Sequence, residues 1–279
     1  MIAAVGSYLA ARHAGGRWLV RIEDLDPPRE VPGSADQILR TLEAFGFEWD
    51  EPVMWQSSRI DAYEAAAERL QSAHLAYECT CSRAEIAAAA RNTGAISDEL
   101  YYPGWCRKQP LLPGRSRALR FIASTEPVAF IDAVQGEIKG NVGTDYGDFV
   151  IRRRDSQFAY QLAVTVDDAA QGITHVVRGA DLLTSTLRQI LLQRALKLPS
   201  LVYAHLPLAV DKSSVKLSKS AGSVGLDVSK ASVQLLQALD FLRQEPPLGL
   251  RLSSMQEIWD WAIRHWNLDA LSGIRSMSI

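Results

Sequence analysis

From Cys79 to about Arg154 the chain gives up helix-length periodicity for short β-like runs, 118–122 and 128–131 among them, split by glycine and proline. On both sides the texture differs. Residues 2–13 read as a helix closed by Gly15 and Gly16, and 18–23 as a β-branched, aromatic strand. Ser34-Ala35-Asp36-Gln37 reads as a capping box opening a second helix, whose apolar stripe is Ile38, Leu39, Leu42 and Phe45 and which stops at Gly46. A third helix starts at 58–61 and carries Ile60, Tyr63, Ala67 and Leu70 on one face. Beyond the β-like stretch, 162–166 and 174–178 read as buried strands, and Thr186-Leu187-Arg188-Gln189 opens a helix with Leu187, Ile190, Leu191 and Ala195 inward. Helix-like pieces at 231–243 and 255–265 follow. A chain that alternates helix and strand, breaks off and then resumes is expected to form one discontinuous α/β domain with a module inserted in it.

Composition narrows the function. The 279 residues, 47% hydrophobic and 22% charged, are ordinary globular material. Thirty basic residues against 32 acidic ones leave a formal charge of −2, so net charge draws the molecule to neither nucleic acid nor an anionic membrane, and any nucleic-acid contact must be a local patch. The apolar stretch at 2–11 is interrupted by Gly6, Ser7 and Tyr8, is too short to span a bilayer and has no basic segment before it. A cytoplasmic protein without membrane contact is expected.

Three places carry candidate chemistry. Lys216-Leu217-Ser218-Lys219-Ser220 follows the apolar run 201–210, and two lysines three apart beside hydroxyls suit a polyphosphate. Arg21-Ile22-Glu23-Asp24-Leu25-Asp26 concentrates charge at the end of a strand before Pro27 and Pro28, where Glu23 and Asp24 face a ligand crevice and suit a cationic group such as an amine. Cys79-Thr80-Cys81 with the distant Cys106 offers three thiolates, which suit a shared metal better than a disulfide framework. Tetrahedral zinc needs one more ligand, and His74 is one possibility.

These motifs occur in order with 158–168, which contains Tyr160, and with Val177-Arg178-Gly179-Ala180-Asp181-Leu182. The series resembles class I glutamyl-tRNA synthetases over roughly residues 1–220, most of all the short bacterial glutamyl-queuosine tRNA(Asp) synthetases, including Pro27-Pro28-Arg29-Glu30-Val31-Pro32-Gly33. The resemblance implies a Rossmann-type core in two parts, residues 1–75 and 157–225. It also implies an inserted zinc-containing α+β module at 76–156 and a short helical region at 226–279. It implies activation of L-glutamate with ATP and Mg²⁺ to glutamyl-adenylate, then transfer to queuosine in the anticodon loop of tRNA(Asp). By the same motifs Glu23 meets the glutamate amine, Tyr160 hydrogen-bonds the amino acid and Arg178 pairs with a carboxylate as a fork. Lys219, with Lys216 beside it, binds ATP phosphate and stabilises the transition state. Tyr102, four residues before Cys106, is implied as the fourth ligand of one structural Zn²⁺, with Cys79, Cys81 and Cys106.

The chain also departs from the pattern. The family's opening strand with its Arg-x-Ala-Pro-Ser segment and the His-x-Gly-His-like motif are not in this sequence, which opens inside the first helix. The expectation is an upstream start or, if the chain is made as written, a core incomplete at its N-terminus with severely impaired adenylation. The region beyond Ser220 is too short for a large anticodon-binding domain, and Arg152-Arg153-Arg154 is a candidate phosphate contact. Two alternatives stay open: a truncated conventional glutamyl-tRNA synthetase, and a non-catalytic zinc-containing RNA-binding relative. A monomer is expected.

Overall fold

The computed structural model describes residues 1–91, 101–211 and 225–278. Helix α1 (Ile2–His13) buries Val5, Tyr8 and Leu9, and the extended segment after it enters β1 (Arg21–Ile22). Only these two residues of the expected 18–23 strand join a ladder, parallel to β2 (Met54–Trp55), before Pro27 turns the chain. Helix α2 (Ser34–Ala44) departs further from expectation. It is entered from Gly33 at φ +78 without a side-chain cap, so Ser34 lies inside the helix and no capping box forms. None of its residues is buried, Ile38 is exposed, and Phe45, just past its end, is the buried anchor. Helix α3 (Ile60–Ser72) buries Tyr63, Ala67 and Leu70 as its periodicity requires.

The β-like stretch resolves into β3 (Ala76–Cys79), α4 (Arg83–Arg91), β4 (Ala118–Phe121), β5 (Val128–Asp132), β6 (Gly136–Gly140), α5 (Val142–Asp145) and β7 (Phe149–Arg152). Strands β3, β4 and β7 form an antiparallel sheet, while the β5–β6 hairpin goes elsewhere. Residues 162–166, expected as a strand, lie in helix α6 (Tyr160–Ala170). Leu162, Ala163, Val164 and Thr165 are all buried there, so the helix has no exposed face in this stretch to reveal its 3.6-residue period. Strand β8 (His175–Gly179), helix α7 (Leu183–Leu196), strand β9 (Val202–Leu206) and strand β10 (Leu208–Val210) follow.

In the four-stranded sheet the order is β6-β5-β9-β8. Strands β8 and β9 run parallel over five residue pairs, and β5 lies parallel to β9 with Asp132 opposite Tyr203. The hairpin thus carries Asp132 into the sheet that bears Arg178. After the sheet come α8 (Ala231–Phe241), α9 (Met255–His265) and β11 (Ser276–Ser278), the last pairing with β10.

Two apolar clusters hold these layers. One joins Tyr63 and Leu70 to Leu119, Phe121, Ile151, Leu162 and Leu192, running across both sheets. The other packs α1 on α8 and α9 around Leu9, Leu239 and Ile258, with Tyr8, Trp18, Phe47 and Trp259 in edge and stacked contacts of 4.8–5.3 Å. Buried Asp167 ties α6 to α3, accepting from Tyr63 Oη at 2.6 Å, Gln56 Nε2 at 2.9 Å and Arg59 Nε at 3.1 Å. No helix among the described residues is long and apolar enough to cross a membrane.

One backbone contact is set by glycine alone. Gly147 sits at φ +71, and a Cβ there would meet the Tyr102 carbonyl oxygen at 2.0 Å. Gly147→Ala must strain the left-handed backbone and force apart the Tyr102–Asp148 hydrogen bond of 3.0 Å. We expect it to lower the unfolding free energy by about 3 kcal/mol, read from urea titration.

Candidate active site

Arg178 stands near the C-terminal end of β8, where parallel strands deliver side chains to a crevice. A guanidinium has five N–H donors. Its Nη2 donates to Thr186 Oγ1 and Gln189 Oε1, both at 2.7 Å, Nε donates to His205 Nε2 at 3.2 Å and Nη1 to the Tyr160 hydroxyl at 3.4 Å. Among the described residues this leaves one Nη1–H. The fork expected from sequence is therefore consumed on its Nη2 side by the protein. Arg178 and Tyr160 both line a cavity, and the donor left over is that Nη1–H next to the Tyr160 hydroxyl, which keeps its own hydrogen to donate.

That cavity, about 300 Å³, is lined by Arg21, Glu23, Tyr160, Val164, Asp168, Val176, Arg178 and Leu182. Its size suits a small metabolite. Two guanidinium and two carboxyl groups balance around it. Arg21 holds Asp168 at 2.9 Å and Gln171 Oε1 at 2.8 Å, and reaches Glu23 at 3.5 Å. Burial pushes the Asp168 carboxyl above the ordinary carboxylate range, and the neighbouring Arg21 and Arg178 only partly offset it. Glu23 is raised by the same cause against the pull of Arg21, and Tyr160 by burial. Asp24 does not serve the cavity. It accepts from the Ser57 backbone N–H at 2.9 Å and from Ser57 Oγ, fixing the turn before α3.

Behind Arg178 lies a fully buried pair. His205 Nδ1 meets Asp132 Oδ2 at 2.6 Å, and both side chains are shielded from solvent. Asp132 Oδ1 accepts the backbone N–H groups of Val134, Gln135 and His205 at 2.9–3.0 Å. Burial disfavours its charge, but His205 and these donors outweigh that and hold it below the usual carboxylate range.

A second cluster gathers Cys79, Cys81 and Cys106, their sulfurs within 4.8 Å of one another. Cys81 and Cys106 Sγ are 3.5 Å apart, and the Tyr102 hydroxyl stands 3.3 Å from Cys79 Sγ, 3.6 Å from Cys81 Sγ and 3.0 Å from the Cys106 N–H. Ligands of a tetrahedral zinc with Zn–S near 2.3 Å lie about 3.8 Å apart, so the contacts of 3.3–3.6 Å are near that spacing and the three sulfurs, within 4.8 Å of one another, form a group of a size to take that ion. His74 is not among them: it sits on a positive-φ turn after α3, exposed. Burial pushes the Cys81 thiol up to about 11, whereas at Cys106 hydrogen bonding from Tyr102 and backbone outweighs burial and brings the thiol to about 7. Arg120 stacks over the Tyr102 ring at 3.9 Å.

The structure brings Glu23, Tyr160 and Arg178 to one cavity and Cys79, Cys81, Tyr102 and Cys106 to one cluster. Lys216 and Lys219 lie outside the described residues. Of the arginine run, Arg153 pairs with Asp26 and Asp155, and Arg154 donates to the Ser116 carbonyl. Sequence reasoning missed Arg21, Asp168, Gln189, His205 and Asp132. Thr186 and Gln189 were legible only as a capping box, yet α7 begins at Leu183 and both side chains bind Arg178.

The pattern of the class I tRNA synthetases (E and Q), catalytic domain, matches residues 2–257. The chain is 53% identical over 271 residues to the glutamyl-Q tRNA(Asp) synthetase of Dechloromonas aromatica, covering 97% of this chain and 90% of that one. It is 50% identical to the protein of the same name from Geobacter sulfurreducens, covering 97% and 88%. Among solved structures, a glutamate-tRNA synthetase from Elizabethkingia anophelis superposes with a TM-score of 0.80 over 99% of this chain at 24% identity, a likeness of fold. A glutamate tRNA ligase from Elizabethkingia meningosepticum, solved with its amino acid, gives 0.76 over 98% at 25% identity. This chain spans 64% and 62% of the length of those two proteins.

Because folding raises the Asp168 pKa, the native state holds this proton more tightly than the unfolded chain. The stability that wild type has over Asp168→Asn should therefore be largest near pH 4 and below. It should shrink as pH rises through the raised pKa, in urea titrations run across that range. A difference that grows with pH would contradict the assignment.

Proposed function

The chain belongs to the class I tRNA synthetases for glutamate and glutamine and is a ligase, and from that premise we propose that it activates L-glutamate with ATP and passes the glutamyl group to queuosine in tRNA(Asp). The observation that carries the amino-acid half is the cavity holding Glu23, Tyr160 and Arg178 together. Glu23, at its mouth, takes the α-ammonium group. Tyr160 O–H and Arg178 Nη1–H take one carboxylate between them, a charge-assisted pair of donors. That carboxylate is the side-chain one. The α-carboxylate is the nucleophile, and pairing it with a guanidinium would stabilise the ground state it must leave.

In the reaction an α-carboxylate oxygen bonds to the α-phosphorus of ATP, and the bond to the bridging oxygen breaks to release pyrophosphate. An acceptor on the tRNA then attacks the acyl carbon and AMP leaves. Lys216 and Lys219 neutralise charge building on the phosphates, with Mg²⁺ as the partner ion of ATP. Arg21 keeps Glu23 and Asp168 apart as charges and aims Glu23 at the amine. The apolar Val164, Val176 and Leu182 side chains give the glutamate methylenes a dry wall. Cys79, Cys81, Tyr102 and Cys106 would hold one zinc ion, whose part would be structural, since the protein would supply all four ligands. The names of the relatives from Dechloromonas and Geobacter support queuosine-bearing tRNA(Asp) as the acceptor.

The test is ATP-dependent labelling of tRNA with radioactive glutamate by the full-length protein. Label is expected in tRNA(Asp) from queuosine-containing cells and not in tRNA from cells lacking queuosine; label in tRNA(Glu) would replace this acceptor with the conventional one. Arg178→Ala should lower kcat/KM for glutamate about a hundredfold while the KM for ATP stays nearly constant. Separately, metal analysis of purified protein should find about one zinc per chain, and Cys106→Ser should lose the ion and lower Tm by about 5 °C or more. Full stability without zinc would remove its structural role.

A further inference from the structure

We infer that His205 and Asp132 are positioning residues for glutamate recognition: Asp132 fixes the proton of His205 on Nδ1, which leaves Nε2 as the acceptor that orients Arg178. This rests on Arg178 meeting a glutamate carboxylate, as argued above. The tautomer follows from hydrogen-bond accounting. Arg178 Nε–H only donates, and it points at His205 Nε2 at 3.2 Å, with Thr186 Oγ1 beside it at 3.1 Å. Nε2 must therefore present a lone pair, and the ring proton belongs on Nδ1, 2.6 Å from the Asp132 carboxylate.

Asp132 is anchored for this purpose. Three backbone N–H groups converge on its Oδ1, so Oδ2 alone turns to the imidazole. The carboxylate is supplied by β5 of the hairpin and the imidazole by β9, neighbours through the Asp132–Tyr203 pair. Arg178 has no carboxylate within ion-pair distance among the described residues. Its plane is set instead by neutral acceptors, Thr186, Gln189 and His205, which orient the cation while leaving its charge for the ligand. A carboxylate in place of His205 would neutralise that charge. The chain thus reads glutamate with a guanidinium steered through a histidine, its charge felt by Glu23 and Asp168 across the cavity but held in no direct ion pair among the described residues.

Three variants separate steering from mere packing. In Asp132→Asn the three backbone donors keep the amide oxygen where Oδ1 was, so the amide NH₂ faces His205 Nδ1. The imidazole must then carry its proton on Nε2, against Arg178. We expect the glutamate KM to rise about tenfold or more, the loss of one hydrogen bond to a charged group, with kcat and the ATP KM within about twofold. His205→Gln can keep an acceptor at the Nε2 position, whereas His205→Asn keeps a donor toward Asp132 and cannot reach Arg178. The glutamine variant should retain glutamate KM within about threefold and the asparagine variant should not. Equal loss in both, or parallel falls in kcat, ATP affinity and Tm, would overturn the steering role.

A second readout needs no turnover. Nitrogen-15 spectra of the histidine side chains should give His205 as the neutral Nδ1–H form in wild type and the Nε2–H form in Asp132→Asn. Wild type in the Nε2–H or doubly protonated form overturns the inference whatever the kinetics. If wild type shows no glutamate-dependent activity, the proposed function fails, and the spectra alone still decide the Asp132–His205–Arg178 linkage.

Discussion

A guanidinium is a rigid plane of donors, useful for recognition only when something holds that plane, and the described structure is organised around holding the one at Arg178. Thr186 and Gln189 come from one helix, α7, Tyr160 from α6 and His205 from the adjacent strand β9. Each is placed by the core behind it, where Leu162, Leu187, Leu191 and Tyr203 belong to one apolar cluster. The apolar core thus fixes distances, and the polar residues on its upper edge convert that rigidity into direction.

The β5–β6 hairpin gives the interruption in the chain a structural reason. It lies within the stretch whose other strands, β3, β4 and β7, form a separate antiparallel sheet, yet it joins the parallel strands and delivers Asp132 to His205. At the far side of the same stretch, the Cys79–Tyr102–Cys106 cluster ties the end of β3 to the loop before β4. Gly147 allows the Tyr102 backbone to pass close enough for this. Asp148 then gathers Tyr77, Arg107 and the Ala123 N–H, so one buried carboxylate braces the cluster from below.

Where sequence reading went astray, the causes are specific. Residues 162–166 look like a strand because α6 is buried on nearly every side there and its period is hidden. Ser34 and Gln37 have the spacing of a capping box but Gly33 makes the helix entry. Thr186 and Gln189 have it too, and their side chains are spent on Arg178. Asp24, as charged as Glu23 and next to it, turns to Ser57. A local pattern names what a residue can bond to, and the competition among partners is decided in three dimensions.

The sequence by itself carried the alternation of helix and strand and the grouping of three cysteines, because periodicity and short-range chemistry are written in neighbouring positions, and it pointed to Glu23, Tyr160 and Arg178 through the resemblance of its ordered motifs to a family. Only the tertiary structure decided that Arg178 offers Nη1 with Tyr160 instead of a free fork and that Asp132 and His205 stand behind the site, and it stood Tyr102, which the resemblance implies, with the cysteines where the residues alone leave His74 open. Those facts depend on contacts between residues far apart in the chain, such as Asp132 and His205 at a separation of 73 positions. The burial that makes such polar contacts strong is produced by folding, and a single buried Asp or His leaves no periodic signature along the chain.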